Sequence, residues 1–217
     1  MTCRELQGFG GCAFGLELVL KDDGYAGVTP DNLNRVRLAS KLLPEGGMIV
    51  YKIDNKGDAT EYIKVPQEDL MTFGFLGFDK ENESVYVSDS RGQDKAALYK
   101  LNLSTDEQVL VAKNDKADIT NVLVNPITYE VDAYEDNYFR SRWVATSDYL
   151  KEDLKYLEEF KDGDYGVYMR SMDDKTWIIA YDSPKEFLKY YKFDRETRKA
   201  ELLVSSKPAF DDVQLSN

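Results

Sequence analysis

Short runs of alternating apolar and polar residues, separated by polar turns, recur along most of this sequence of 217 residues. Runs of this length with period-two alternation favour β-strands joined by tight turns. The pattern predicts four groups of strands: Val36–Leu38, Met48–Asp54 and Glu61–Val65; Phe73–Phe78, Val85–Ser88, Ala96–Asn102 and Gln108–Ala112; Ile119–Val124, Tyr129–Tyr134 and Phe139–Ala145; and Tyr165–Met169, Trp177–Tyr181, Phe187–Asp194 and Glu201–Ser205.

A tetrapeptide of the form Tyr-Lys-apolar-Asp/Asn occurs three times, beginning at Tyr51, Tyr99 and Tyr191. The first interval is 48 residues and the second is 92, or twice 46, so one copy is missing near Ala145. A period of about 40 to 50 residues made of short strands is typical of propeller blades, each a small antiparallel sheet. We therefore predict an all-β fold, a partial β-propeller of about four blades of antiparallel strands.

The segment from Ser147 to Lys161 breaks the strand pattern. Its apolar residues recur at helical spacing and fall on one face of a helix. They are Tyr149, Leu150, Leu154, Leu157 and Phe160. Ser147 or Asp148 can cap such a helix, and Gly163 can end it. The sequence thus predicts one helical insertion at about residues 147–161, where the outer strand of the third blade would otherwise lie.

The chain divides into three expected segments. Residues 1–15 form a Gly-rich stretch that we expect to be a flexible leader, residues 16–210 hold the blades, and residues 211–217 form a tail. A phosphate-binding loop in the leader is disfavoured, because no strand precedes it and no Lys-Ser/Thr pair or helix follows it. The leader contains the only two cysteines, Cys3 and Cys12, which could form a disulfide but predict little else.

The sequence is strongly acidic, with a net charge of −12 at pH 7. Such a chain repels polyphosphates and anionic lipid headgroups, so we expect neither nucleic acid nor membrane surfaces as partners. No run of eighteen apolar residues is present, and the N-terminal residues do not resemble a signal peptide. Because cysteines are few, we expect a cytoplasmic protein.

The sequence contains no histidine and so lacks the base of the Ser-His-Asp and Cys-His systems. The lack of histidine also removes His-based metal centres, and two cysteines nine residues apart cannot assemble a Cys-rich zinc site. We therefore expect no metal, no cofactor and no catalytic residue. The acidic pairs Glu130/Asp132 and Glu135/Asp136 could in principle cleave glycosides or bind calcium. Their placement in stretches with period-two strand alternation instead favours acids on the solvent-facing side of strands. The residues by themselves therefore predict a scaffold, not an enzyme.

Three stretches of the sequence, Gly24–Met48, Val85–Thr128 and Asp173–Phe210, are similar to a known family. They resemble the propeller of prolyl oligopeptidase-family serine peptidases, nearest to the acylaminoacyl-peptidase and dipeptidyl-aminopeptidase-like members. The most specific motif is D-S-R-G-Q-D at residues 89–94, and the resemblance spans residues 16–210. It implies a non-catalytic propeller that gates and orients peptide substrates for an α/β-hydrolase domain, which these residues do not include.

A stand-alone propeller-like module that binds a protein partner is the alternative function. An incomplete ring leaves blade edges unpaired, and the same edges predict self-association of the isolated chain. A G-x-S-x-G motif encoded after Asn217 would favour the peptidase, whereas an immediate stop would favour the binding module.

The resemblance also implies candidate substrate-binding residues. Glu158 and Glu159 are similar to the paired glutamates with which dipeptidyl peptidases hold a free amino terminus, since two close carboxylates bind an ammonium well. The sequence around them lacks the Trp and the third acid of that motif, and adjacent acids are also typical of a solvated helix face. Arg140 and Arg142 are further candidates to meet substrate, although strand alternation makes them equally a polar face.

The D-S-R-G-Q-D motif contains Asp89, Arg91, Gly92 and Asp94 in one predicted turn. Arg91 could bind a substrate carboxylate. The favoured interpretation is structural: an Arg between two Asp residues fixes the turn by charge-assisted hydrogen bonds, and Gly92 supplies a positive φ.

Overall fold

The computed structural model describes residues 4–5, 12–13, 18, 20–21, 23–211, 213 and 215. The chain divides into two compact units, Met1–Lys64 and Val65–Asn217. The leader expected at residues 1–15 lies outside the described residues apart from 4–5 and 12–13, and the tail expected at residues 211–217 apart from 211, 213 and 215. In the described part of the chain, no helix is long and apolar enough to cross a membrane.

The first unit contains a two-stranded and a four-stranded antiparallel sheet. Leu38, Val50 and Ile63 of the larger sheet are buried, as the period-two pattern predicts. The small sheet pairs β1 (Arg4–Glu5) with β2 (Cys12–Ala13). The larger sheet has the order β3 (Gly27–Pro30), β4 (Val36–Leu42), β5 (Met48–Ile53) and β6 (Ala59–Val65).

The second unit contains three antiparallel sheets, each with its strands in sequence order. The first consists of β7 (Gly74–Phe78), β8 (Ser84–Asp89), β9 (Ala97–Asn102) and β10 (Gln108–Ala112). The second consists of β11 (Val122–Val124), β12 (Val131–Asn137) and β13 (Ser141–Ala145). The third consists of β14 (Asp164–Arg170), β15 (Thr176–Ser183), β16 (Glu186–Asp194) and β17 (Lys199–Ser205). Short 3₁₀ helices lie at Gln67–Asp69 and Pro208–Phe210.

Three of the described sheets are four-stranded meanders, one in the first unit and two in the second. In each of them every strand pairs with its sequence neighbours, the arrangement of a propeller blade. The repeated tetrapeptides at Tyr51, Tyr99 and Tyr191 lie in β5, β9 and β16, which are the third strands of the three meanders. The expected fold class is confirmed: a nearly all-β partial propeller with one helical insertion.

The helix α1 (Asp148–Phe160) follows the three-stranded sheet, where a fourth strand would complete the blade. Its buried leucines are Leu150, Leu154 and Leu157. They join a core with large residues of the third sheet, among them Trp177, Ile179, Tyr181, Tyr191 and Phe193. Burying one such leucine contributes about 1.5–3 kcal/mol, so packing of the apolar face outweighs helix propensity in fixing α1.

A second core lies between the first two sheets of this unit and contains Tyr86, Leu98, Ile119 and Val131. Hydrogen bonds attach the segment before β11 to the first sheet, since Ile119 N donates to Ala96 O, next to β9, at 3.0 Å and Ser88 Oγ of β8 donates to Ile119 O at 2.6 Å. The three-stranded sheet is thus held on one side by a blade and on the other by α1.

Candidate functional site

A shallow depression of about 70 Å³ lies at the C-terminal end of α1, beside the β12–β13 hairpin. Hairpin pairing places Asn137 opposite Ser141, so the loop at the tip turns the chain and brings β13 next to the end of the helix. The depression is lined by Arg140–Trp143, Glu158 and Lys161–Tyr165. Charged side chains dominate this lining, which suits a polar ligand.

Arg142 and Glu158 form an ion pair in this depression, with 3.5 Å between Nη1 and Oε1. The two side chains are 63% and 57% exposed, respectively. An exposed pair at this distance contributes at most about 1 kcal/mol, because solvent screens it and two long side chains must be ordered. Glu158 can therefore exchange Arg142 for another cation at little cost.

Glu159 is exposed and is not among the residues that line the depression. Consecutive residues of an α-helix point about 100° apart, so the carboxylates of Glu158 and Glu159 leave the helix in different directions. Of the two acids singled out by the resemblance, the structure places only Glu158 beside Arg142.

Arg140 is held by two other carboxylates. Its Nε donates to Asp164 Oδ1 at 2.9 Å, and its Nη1 donates to Asp162 Oδ1 at 3.4 Å. The hydrogen bond and charge of Asp164 raise the pKa of Arg140 above its ordinary value. Asp162 also pairs with Lys185, which holds the pKa of the Asp162 carboxyl below its usual value. Arg140 thus pairs with carboxylates that follow α1, whereas Arg142 pairs with Glu158 of the helix itself.

That turn depends on Gly163. The backbone of Gly163 has φ of +136°, and a Cβ atom there would lie 2.6 Å from the carbonyl oxygen of Asp182. Only glycine adopts this conformation without strain, and only glycine leaves room for the β15 backbone. Gly163 therefore fixes how the chain leaves α1 and enters β14.

Three of the four acids considered for glycoside cleavage or calcium binding have structural partners, whereas the buried Oδ1 of Asp136 has no hydrogen-bond partner among the described residues. Glu130 accepts a hydrogen bond from Tyr86 Oη at 2.6 Å, and Asp132 accepts one from Arg170 Nη2 at 2.7 Å. Glu135 accepts hydrogen bonds from Asn121 Nδ2 and Ser141 Oγ. No cluster of acidic, Cys or His side chains suited to a metal ion is found in the described part of the chain.

A buried charge network beneath α1 was not predicted from the sequence. At its centre is Asp174, whose side chain is fully buried and pairs with Arg170 at 2.6 Å and with Arg195 at 2.5 Å. Burial would raise the pKa of Asp174, but hydrogen bonds from Arg170 and Trp177 outweigh it and hold this pKa below the ordinary value. Arg170 also pairs with Asp132 at 2.7 Å. No sequence motif marks this cluster, because β-sheet pairing assembles it from distant positions.

The same network connects the third sheet to the helix. Arg195 donates from Nε and Nη2 to Asp153 Oδ2 of α1 at 2.9 and 2.7 Å, and from Nη1 to Tyr149 Oη at 2.9 Å. The guanidinium groups of Arg170 and Arg195 lie 5.0 and 4.9 Å from the ring of Trp177, within cation–π range. These contacts attach the first two turns of α1 to the third sheet.

The D-S-R-G-Q-D motif begins at Asp89, the last residue of β8. Arg91 makes a two-pronged interaction with Asp89, at 2.9 Å from Nε to Oδ1 and 2.7 Å from Nη2 to Oδ2. Gly92 has φ of +74°, and Asp94 pairs with Lys95 at 2.8 Å. The motif is distant in sequence from α1, and the residues that line the depression do not include it.

Comparison with known proteins gives the family relationship. No family model matches the chain. It is 31% identical over 199 residues to dipeptidyl aminopeptidase BIII of Pseudoxanthomonas mexicana, and 30% identical over 211 residues to dipeptidyl peptidase family member 6 of Caenorhabditis elegans. The chain is a homologue of part of these dipeptidyl peptidases. The resemblance read from its own motifs, to a propeller fragment of this peptidase family, is confirmed.

The two matches cover 91% and 93% of this chain but only 29% and 28% of the relatives. The chain thus spans less than a third of the length of the curated relatives it matches. Among solved structures, TolB from Acinetobacter baumannii is similar over 78% of this chain, with a TM-score of 0.50 and 13% sequence identity. At this identity the similarity concerns the fold alone, and it agrees with the blade-like sheets.

Proposed function

We propose that this chain is the non-catalytic propeller portion of a prolyl oligopeptidase-like serine peptidase, which gates and orients peptide substrates for an α/β-hydrolase domain. The observation that carries the proposal is the match of nearly the whole chain to a minor part of two dipeptidyl peptidases. The residues support a division of labour, because a chain without histidine cannot assemble a Ser-His-Asp triad by itself.

We further propose that the depression at the end of α1 binds the free amino group of a peptide. Glu158 is its principal acceptor, since this carboxylate is exposed and shares only a weak ion pair with Arg142. An incoming ammonium replaces Arg142 and forms a charge-assisted hydrogen bond. Glu159 adds negative charge nearby, and Arg140 supports the turn that closes the depression.

A binding experiment with the 217-residue chain tests the amine site. The probes are dialanine amide, which carries a free amino group, and its N-acetylated form, which does not. Isothermal titration should give preferential binding of the free amine, and the E158Q/E159Q variant should lose that preference by about tenfold or more, the loss of a hydrogen bond between charged groups. E152Q is the matched control, since Glu152 is an exposed acid of the same helix.

Equal binding of both probes by the unsubstituted chain, or an unchanged preference in E158Q/E159Q, would contradict the amine site.

The proposal that the chain is part of a serine peptidase has a separate test in the gene. The frame after Asn217 should encode G-x-S-x-G followed by Asp and His. A natural stop directly after Asn217 would instead support a stand-alone protein-binding module.

A further inference from the structure

The last turn of α1 ends against two tyrosines of the third sheet. The last four carbonyl groups of any α-helix have no partner within the helix, and in α1 this set begins with Leu157. The helix cannot continue past Phe160, because Lys161 adopts an extended conformation with φ of −153° and ψ of 145°. The carbonyl of Leu157 is buried, so it needs a donor from elsewhere in the fold.

Tyr181 supplies that donor. Its hydroxyl donates to the carbonyl oxygen of Leu157, and the hydroxyl of Tyr165 donates to the carbonyl oxygen of Leu154 at 3.2 Å. The two tyrosines lie directly opposite each other on β14 and β15, with ring centroids 5.6 Å apart. Two neighbouring strands thus present a pair of hydroxyl groups to two successive turns of one helix.

Both phenols are rigid donors. Tyr165 and Tyr181 are 6% and 1% exposed, and the ring of Tyr181 also packs against Phe160 and Tyr191 at 5.8 and 5.7 Å. Burial raises the pKa of both hydroxyls well above the ordinary value, so they keep their protons at neutral pH. The negative charge of Glu158 also raises the pKa of Tyr165, as expected for a carboxylate close to that hydroxyl.

We infer that Tyr165 and Tyr181 are positioning residues that hold the last turn of α1 and thereby place the Glu158 carboxylate beside Arg142. This inference rests on the proposed amine site for its functional consequence, but its structural content is independent. Glu158 directly follows Leu157, the residue whose carbonyl Tyr181 binds. Losing that hydroxyl frees the orphan carbonyl and lets the last turn fray, which moves Glu158 without changing its charge.

The test compares Y181F and Y165F with Y86F in the 217-residue chain. Tyr86 is also buried, but its hydroxyl donates to Glu130, away from α1. Hydrogen exchange should show a loss of protection of about threefold to tenfold at the amides of residues 158–160 in Y181F, the effect of one net hydrogen bond. The loss should be smaller in Y165F, because Leu154 keeps its helical partner, and Y86F should leave these amides unchanged.

Binding of the two probes separates positioning from general destabilisation. Y181F should weaken binding of dialanine amide by about threefold to tenfold and leave binding of the acetylated probe unchanged, whereas lost stability would weaken both. Unchanged protection at residues 158–160 in folded Y181F and Y165F would overturn the inference, and so would equal weakening of both probes. If the unsubstituted chain does not prefer the free amine, the proposed site fails, and hydrogen exchange by itself decides whether the tyrosines hold the helix end. Should Y181F not fold, hydrogen exchange of Y165F decides, because Tyr165 lines the depression and its binding data cannot separate the two effects.

Discussion

At the scale of single residues, buried charged side chains stabilise the fold, whereas solvent-exposed ones are available to bind a ligand. The side chain of Asp174 is fully buried between those of Arg170 and Arg195, which are 6% and 11% exposed. Glu158 and Arg142 instead share a long contact in solvent. The sequence alone does not distinguish these groups, because an acid and a base far apart in the chain give no sign of burial. The resemblance located Glu158, but only the structure distinguishes it from Glu159.

Replacing Asp174 tests the buried network. D174N leaves two arginines without their shared counter-charge, so it should lower the free energy of unfolding by about 3–5 kcal/mol. Because the pKa of Asp174 is lower in the folded state than in the unfolded chain, its stabilisation is present above the ordinary Asp pKa of 3.8 and is lost as pH falls below it. In D174N, the free energy of unfolding should therefore fall less steeply as the pH is lowered.

Urea denaturation from about pH 3 to about pH 7 measures both effects. This range includes the ordinary Asp pKa of 3.8. D173N is the matched control, because Asp173 is the exposed neighbour of Asp174. Equal stability of D174N and D173N would show that the network contributes nothing beyond surface charge.

Gly163 gives a second test at this scale. G163A should destabilise the chain by more than about 2 kcal/mol, because its Cβ meets the carbonyl oxygen of Asp182 in a backbone conformation that alanine avoids. G92A provides the control, since Gly92 has positive φ but no atom within 4 Å of its Cβ position. G92A introduces strain but no clash, so it should lower the free energy of unfolding by about 1 kcal/mol. Thermal unfolding measures both variants, and a larger loss in G92A than in G163A would contradict the prediction.

At the scale of elements, the sequence predicted what depends on periodicity. α1 was predicted within a residue at each end, since its leucines repeat at helical spacing and are buried. The missing Tyr-Lys repeat correctly marked the sheet that the helix completes. The strand β3 was not predicted, because three of its four residues are exposed and it shows no alternation of apolar and polar positions. The partners of Arg140 and the pairing of Tyr165 with Tyr181 depend on sheet register, which periodicity does not specify.

The attachment of α1 to the third sheet predicts a large effect at Leu157. L157A should lower the free energy of unfolding by about 2–5 kcal/mol, because a fully buried leucine leaves a cavity among aromatic side chains. L202A, at a leucine of β17 that is 58% exposed, should change it by less than about 1 kcal/mol. Similar values for the two variants in urea denaturation would mean that α1 is not packed as described.

At the scale of the whole molecule, the chain presents exposed sheet edges. The terminal strands β10 and β17 carry consecutive exposed apolar residues, which are Val109–Val111 and Leu202–Val204. Edge strands of this kind pair with other chains unless charges interrupt them. The net charge of −12 opposes association at long range but does not protect these strands, whose own apolar residues are exposed.

We therefore expect the purified chain to self-associate as its concentration rises. L110K and L203K should shift it towards the monomer, because a lysine on an edge strand disfavours pairing. M71K is the control, since Met71 is 88% exposed but lies outside the strands. Light scattering after size-exclusion chromatography measures the mass, and a monomer at every concentration would contradict the expectation.

We propose that this propeller orients peptides by their amino terminus for a separate catalytic domain. Steady-state cleavage of dialanyl p-nitroanilide by the complete product of the gene, with and without E158Q/E159Q, tests it most directly. We predict that the double substitution raises KM about tenfold or more, because a charged hydrogen bond to the substrate is lost, and that it leaves the serine nucleophile of the catalytic domain intact. An unchanged KM, or full activity of the 217-residue chain by itself, would contradict it.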